Sequence, residues 1–252
     1  MKNVRAKKHL GQHFLNDEQI ALNITDLLSN ETQNVVEIGP GMGVLTQFLI
    51  KKDFTTEVVE IDTESIFYLR LNYPQLINKI TEGDFLQLNL KEKYPYNFSL
   101  IGNFPYNISS QILFKAFANR DQISEIIGML QKEVAERVAC KKGKKRGILS
   151  VFLQAFYDIE YCFTVNEDVF TPPPKVKSGV IKLVRNSRKE LLCNEEKFKQ
   201  VVKAGFNQRR KTLRNALKPF TLKDESELQD LLHLRAEQLS VDDFIKLTNH
   251  AG

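Results

Sequence analysis

Through its first two-thirds the chain alternates short apolar runs with stretches of helical spacing. Runs at 34–38, 57–61, 79–82, 99–102 and 125–130 are largely apolar or β-branched and predict five strands. Between them 44–51 reads as a helix, and 132–140 sets Val134, Ala135 and Val138 on one helical face. Strands separated by helices predict a parallel sheet, because a parallel pair needs a long crossover connection. After a helical stretch at 148–156, runs at 159–165 and 179–184 flank Pro172, Pro173 and Pro174 and predict an antiparallel hairpin at the end of the sheet. From about residue 188 the strand signals stop, while 195–206, 209–217, 225–233 and 241–248 keep helical spacing. The expected fold class is α/β: a Rossmann-like sheet domain over 1–187, then a small all-helical domain over 188–252.

Composition narrows the classes. With 42% hydrophobic residues in 252, the chain can bury a core, and no apolar run approaches the length of a membrane span. The basic first residues lack the apolar stretch and small-residue cleavage site of a secretory signal, so a cytoplasmic protein with no membrane partner is expected. Cys140, Cys162 and Cys193 are scattered and read as reduced thiols. His9, His13, His233 and His250 form no metal-ligand pattern, so no metal site is expected. The net charge of +5 is modest but clustered: Lys2, Arg5, Lys7 and Lys8 near the start, K-K-G-K-K-R at 141–146, and Arg209, Arg210 and Lys211. Any one such cluster reads as a solvated face; three together point to a polyanion.

The first chemical motif is V-E-I-G-P-G-M-G at 36–43, between a predicted strand and a predicted helix. Glycines there allow a sharp turn and close approach of a ligand to the backbone. A dinucleotide fingerprint would need glycine at position 44, which is Val44. The pattern G-x-G-x-G after the acid Glu37 instead resembles the first motif of Rossmann-like methyltransferases. Glu60, seventeen positions after Gly43, ends the second strand, where a carboxylate can accept both hydroxyls of a ribose. Asp84 follows the third strand, where it can accept an adenine amine. Taken singly, Glu60 could be surface charge and Asp84 a turn residue; in order at three strand ends they read as a nucleoside cofactor site.

Asn103-Phe104-Pro105-Tyr106 ends the fourth strand beside the same crevice. Asn and Pro also punctuate ordinary turns. The chemistry supports more. An adenine amine is a poor nucleophile, because its lone pair is delocalised into the ring. An amide oxygen from Asn103 and the carbonyl of Phe104 can accept its two N–H bonds, favouring a pyramidal nitrogen whose lone pair is aimed at a methyl donor. Alignment then supplies much of the acceleration. Tyr106 can stack on an extruded base.

N-F-P-Y-N-I-S-S at 103–110 resembles the ribosomal RNA adenine dimethyltransferases. The likeness runs nearly the whole chain, through K-H-L-G-Q-H-F-L-N at 8–16, V-E-I-G-P-G-M-G, Glu60-Ile61-Asp62, Gly83-Asp84, Q-K-E-V-A-E-R at 131–137 and V-F-T-P-P-P-K-V-K-S at 169–178. It implies a class I methyltransferase using S-adenosylmethionine, with His13, Leu15, Gly39, Gly41, Glu60, Asp84 and Asn103 around the cofactor. It implies Asn103, Pro105, Tyr106 and Phe170 around the target base; on residue type alone, Phe170 reads as a core aromatic. His13 departs from the more common asparagine of the family motif, and otherwise reads as a turn histidine.

The target-base motifs are shared with macrolide-resistance enzymes that modify large-subunit RNA. F-N-Q-R-R-K-T-L-R-N-A-L at 206–217 resembles the pattern of the small-subunit enzymes. It implies phosphate contacts from Arg209, Arg210, Lys211 and Arg214, and a small ribosomal subunit as the partner; separately, a monomer is expected. The resemblance further implies dimethylation of two adjacent adenosines near the 3′ end of that RNA. A noncatalytic assembly factor on the same fold is the alternative from another class. The filled positions Asn103, Pro105, Tyr106, Glu60 and Asp84 favour the enzyme.

Overall fold

The computed structural model describes residues 4–252, so Lys2 of the first basic cluster lies outside the described residues. Contacts divide the chain into two units. One runs to Ala135 and resumes over Ile159–Arg185; the other takes Glu136–Asp158 and Asn186–Gly252. The expected boundary at 187/188 falls just beyond that final crossing, and 136–158, expected with the sheet, belong to the helical unit.

The strands are β1 (Phe14–Leu15), β2 (Asn34–Ile38), β3 (Thr55–Glu60), β4 (Ile80–Glu82), β5 (Phe98–Asn103), β6 (Ile123–Gln131), β7 (Tyr157–Val165), β8 (Phe170–Thr171) and β9 (Ser178–Arg185). Seven form one sheet in the order β4-β3-β2-β5-β6-β9-β7. β4, β3, β2, β5 and β6 are parallel, and β9 runs antiparallel to β6. The parallel strands read as unbroken apolar runs because both faces are covered: Val35, Val36, Val58, Leu100, Ile101, Ile126 and Ile127 are all buried. From β2 the chain winds outward through β3 and β4, then returns to the other side of β2 for β5 and β6. This reversal opens a crevice at the carboxyl ends of β2 and β5, where open α/β sheets bind ligands.

Helix α1 (Glu18–Thr25) precedes β2, the crossovers carry α2 (Thr46–Leu49), α3 (Thr63–Asn72), α4 (Leu90–Lys93) and α5 (Ser109–Ala118), and α6 (Lys132–Ala139) follows β6. Asp17 starts α1 by accepting from the Ile20 N–H, and Asp62 starts α3 by accepting from Glu64. The pairing of β1 with β8, Phe14 opposite Thr171 and Leu15 opposite Phe170, ties the amino-terminal segment to a loop more than 150 positions away.

The helical unit contains α7 (Ile148–Gln154), α8 (Glu195–Asn207), α9 (Leu213–Ala216), α10 (Gln229–Leu232) and α11 (Val241–His250). Its core holds Phe198, Val201, Val202, Phe206, Leu213, Phe244 and Leu247, with the Phe206 and Phe244 rings stacked at 6.1 Å. Asn194 caps α8, and Ser240 with Asp243 forms a capping box on α11. The helix expected over 209–217 shortens to Leu213–Ala216, and that expected over 225–233 opens with a 3-10 turn at Glu225–Leu228. Among the described residues no helix is long and apolar enough to cross a membrane.

Candidate active site

A cavity of about 240 Å³ opens over the carboxyl ends of β2, β3 and β5. Of the residues expected there, His13, Gly39, Gly41, Glu60, Asp84, Asn103, Pro105 and Tyr106 line it.

Glu60 ends β3 with only 4% of its surface exposed. Its Oε2 accepts the Gly41 N–H at 3.1 Å, and its Oε1 accepts those of Ile61 and Asp62 at 2.8 Å. Burial raises its pKa, while these donors act in the opposite direction. The glycine turn and the acid are therefore one unit. Gly41 itself has φ +56°, and a Cβ there would stand 2.8 Å from the Phe14 ring, so the turn admits no side chain. Beneath it Glu37 is fully buried and accepts from the Thr46 hydroxyl at 2.6 Å. Burial pushes its carboxyl up to about 8.

Asn103 ends β5, and its Nδ2 donates to the backbone carbonyl of His13 at 2.9 Å. This leaves Oδ1 as the acceptor of that amide. Phe104, fully buried, anchors the next residue: its N–H donates to the Met129 carbonyl, and its ring fills the space a Cβ at Gly128 would need, 2.7 Å away. Tyr106 shares a short hydrogen bond with the Ser178 hydroxyl, and burial raises its phenol pKa. The His13 ring lies 5.3 Å from that of Tyr106, with its Nδ1 on the Pro172 carbonyl at 2.7 Å. A carbonyl can only accept, so Nδ1 carries the proton.

Two expected residues lie elsewhere. Leu15 borders a smaller adjoining hollow with Glu37, Gly39 and Asn103. Phe170, 2% exposed, packs with Leu15, Ile24 and Val180. Its backbone is paired in β8, opposite Leu15.

The amino-terminal segment contributes more than the motif reading assigned to it. Residues His9 to Phe14 all line the cavity. Lys7 forms an ion pair with Asp62 and another with Glu64 at 3.2 Å, while Gln12 donates to Asp62 at 3.3 Å. Burial alone would raise the Asp62 carboxyl; hydrogen bonds from Lys7, Ser65 and Gln12 outweigh it and lower its pKa. The E-I-D spacing was the one available signal for Asp62, and it pointed only to Glu60.

In the helical unit Arg209, Arg210, Lys211 and Arg214 are all exposed. Arg210 and Lys211 project from the turn before α9. Arg209 donates to the carbonyls of Lys144 at 2.6 Å and Arg146 at 2.8 Å. Arg214 pairs with Glu225 at 3.0 Å and donates to Gln229 at 3.0 Å. Cys140, Cys162 and Cys193 are free, and the described residues hold no metal-binding cluster of His, Cys, Asp or Glu.

A sheet whose order reverses at a glycine turn, with its cavity over that reversal, is a nucleotide-binding arrangement, and with the antiparallel β9 beside β6 it is the class I methyltransferase fold. Solved structures carry the same fold. A dimethyladenosine transferase from Plasmodium falciparum matches with a TM-score of 0.78 and 25% identity, over 95% of this chain and 99% of that one. The 23S rRNA methyltransferase ErmE matches with a TM-score of 0.75 and 21% identity, over 94% and 98%, a likeness of fold alone. In sequence, the model of the family described as ribosomal RNA adenine dimethylase matches residues 3–251. The ribosomal RNA small subunit methyltransferase A of Cytophaga hutchinsonii is 60% identical, over 99% of this chain and 98% of that one. The chain belongs to the ribosomal RNA adenine dimethylase family, and S-adenosylmethionine is its methyl donor.

The cavity fits that donor. Glu60 offers a fixed carboxylate for ribose hydroxyls, the glycine turn leaves room for close approach, and Ile61, Phe85 and Leu86 supply apolar walls beside Asp84.

Proposed function

We propose that this enzyme dimethylates the 6-amino groups of two adjacent adenosines near the 3′ end of small-subunit ribosomal RNA, acting as a monomer in the cytoplasm. The observation that carries the reading is the amide of Asn103, whose nitrogen is occupied by the His13 carbonyl and whose oxygen is thereby assigned as an acceptor beside the cavity. S-adenosylmethionine, when bound, supplies an electrophilic methyl group. Glu60 holds the ribose and Asp84 the adenine amine of the donor. In the first transfer Asn103 Oδ1 and the Phe104 carbonyl accept the two N–H bonds of the target amine and turn its lone pair out of the ring plane; in the second, one of them accepts the single N–H that remains. Pro105 stiffens that turn, and Tyr106, steadied by Ser178 and the His13 ring, stacks on the extruded base. Each transfer forms an N–CH3 bond as the donor's S–CH3 bond breaks, and the methylated nitrogen then gives one proton to water, so no base is needed before transfer.

The small-subunit target rests on the name carried by the Cytophaga relative and on the basic segment at 206–217. Mass mapping of modified nucleotides after incubation with hypomethylated small subunits tests it. Two neighbouring dimethyladenosines are expected. No methylation of the small subunits, beside methylation of large-subunit RNA in a parallel incubation or of neither, would overturn the reading.

A further inference from the structure

The helical unit joins two basic segments that lie more than sixty positions apart in sequence. One Arg209 nitrogen donates to two backbone carbonyls of the 141–146 loop, at Lys144 and Arg146, while its guanidinium lies 6.0 Å from the Phe206 ring centre. The loop is held at other points as well. The Gly143 N–H donates to the Glu237 carbonyl at 2.9 Å, and the Arg146 N–H closes a turn onto Gly143. Arg146, only 1% exposed, donates to Gln154, which in turn donates to the carbonyls of Val138 and Cys140. A merely solvated charge run needs none of this, least of all a buried arginine, which costs solvation energy.

The outcome is a fixed backbone with its carbonyls turned to Arg209 and the side chains of Lys141, Lys142 and Lys144 exposed. Arg209, which binds this loop, is followed directly in the chain by exposed Arg210 and Lys211. Like charges so gathered repel one another, and a chain of phosphates relieves that repulsion.

We propose that the 141–146 loop is a second phosphate-binding element, with Lys141, Lys142 and Lys144 as the contacts, and that Arg209 is a positioning residue that sets this loop beside Arg210 and Lys211. The partner is the sugar–phosphate backbone of the RNA substrate, so the inference rests on the function proposed above. It reassigns Arg209 from phosphate contact to scaffold.

The test measures binding of the full-length protein to hypomethylated small subunits across a salt series. Changing Lys141, Lys142 and Lys144 together to Gln should lower the log–log slope by about 2–3, at roughly 0.7–0.9 per phosphate contact. S-adenosylmethionine affinity and melting temperature should stay parental. Arg209→Gln alone should weaken binding and speed hydrogen exchange at the Gly143 and Arg146 amides. Combined with the loop substitutions it should add little further loss, because its effect passes through the loop. A parental slope in the loop variant, with the parent binding steeply, would overturn the proposal alone, as would additive losses from Arg209→Gln. A parent that shows no salt-dependent binding to small subunits would sink the underlying function and this proposal together.

Discussion

The amide nitrogen of Asn103 and the backbone carbonyl of His13 meet at 2.9 Å, joining the end of the central strand β5 to the amino-terminal segment that covers the cavity. One hydrogen bond thus links the segment that lines the cavity to the orientation of the amide proposed to accept the target amine. Asn103→Ala should lower single-turnover methyl transfer at saturating cofactor by roughly a hundredfold or more, in line with the removal of other oriented catalytic dipoles. RNA affinity should change far less. Asn103→Asp should also fail, because a carboxylate cannot donate to His13. Near-parental transfer by either variant would remove Asn103 from the chemistry.

The carboxylate of Glu60 offers a direct check on the donor site. Glu60→Ala should weaken S-adenosylmethionine binding by about 1–3 kcal/mol, through lost ribose hydrogen bonds and a loosened Gly41 turn. Calorimetric titration beside a melting curve separates binding from folding. Equal affinity in a folded variant would place the ribose elsewhere.

The parallel strands were legible because burial on both faces leaves nearly unbroken apolar runs, and the strand-end motifs inherited their places from them. Helix α3 was not read, and its composition shows why: Ile66 and Leu69 are buried, but Phe67 and Leu71 are exposed, so no single apolar stripe marks it. The contacts of His13 with Pro172 and of Lys7 with Asp62 are made by folding and leave no local pattern. The four basic residues at 209–214 look equivalent in sequence. Only the folded helical unit separates those that bind their own chain from those that face solvent.

Glu37 predicts a pH effect on stability. Burial raises its carboxyl from an ordinary 4.5 to about 8 in the folded protein. Between those values the folded state keeps a proton that the unfolded chain has lost, so stability falls as pH rises through the window. The slope is at most about 1.4 kcal/mol per pH unit. Glu37→Gln carries no such proton, so its stability advantage over the parent should grow with pH. Urea unfolding of both proteins at the two ends of the window checks this, and a pH-independent difference would contradict it.

The Lys7–Asp62 pair predicts a link between the amino-terminal segment and cofactor retention. Lys7→Met should leave the sheet intact but speed hydrogen exchange at Gly11 to Phe14, which line the cavity. Cofactor affinity should fall by a few-fold at most, since the lysine is partly exposed and its pairing is screened. Unchanged exchange in those amides would show that Gln12 and β1 hold the segment without it.

Arg214 and the pair Arg210–Lys211 should separate cleanly, although all three carry the charge expected of phosphate contacts. Arg214 already pairs with Glu225 and donates to Gln229, both within its own unit. Its removal by Arg214→Gln should cost the helical unit up to about 1 kcal/mol, the range for an exposed ion pair, and leave the salt dependence of subunit binding unaltered. Arg210→Gln with Lys211→Gln should do the reverse. Two exposed cations lost from an RNA surface should lower the log–log slope by roughly 1.5–2, with the melting temperature near parental. Urea unfolding and salt-dependent binding on the same preparations decide the matter. A slope that falls with Arg214→Gln and stays constant without Arg210 and Lys211 would invert the assignment, placing the RNA on the α9–α10 side of this unit.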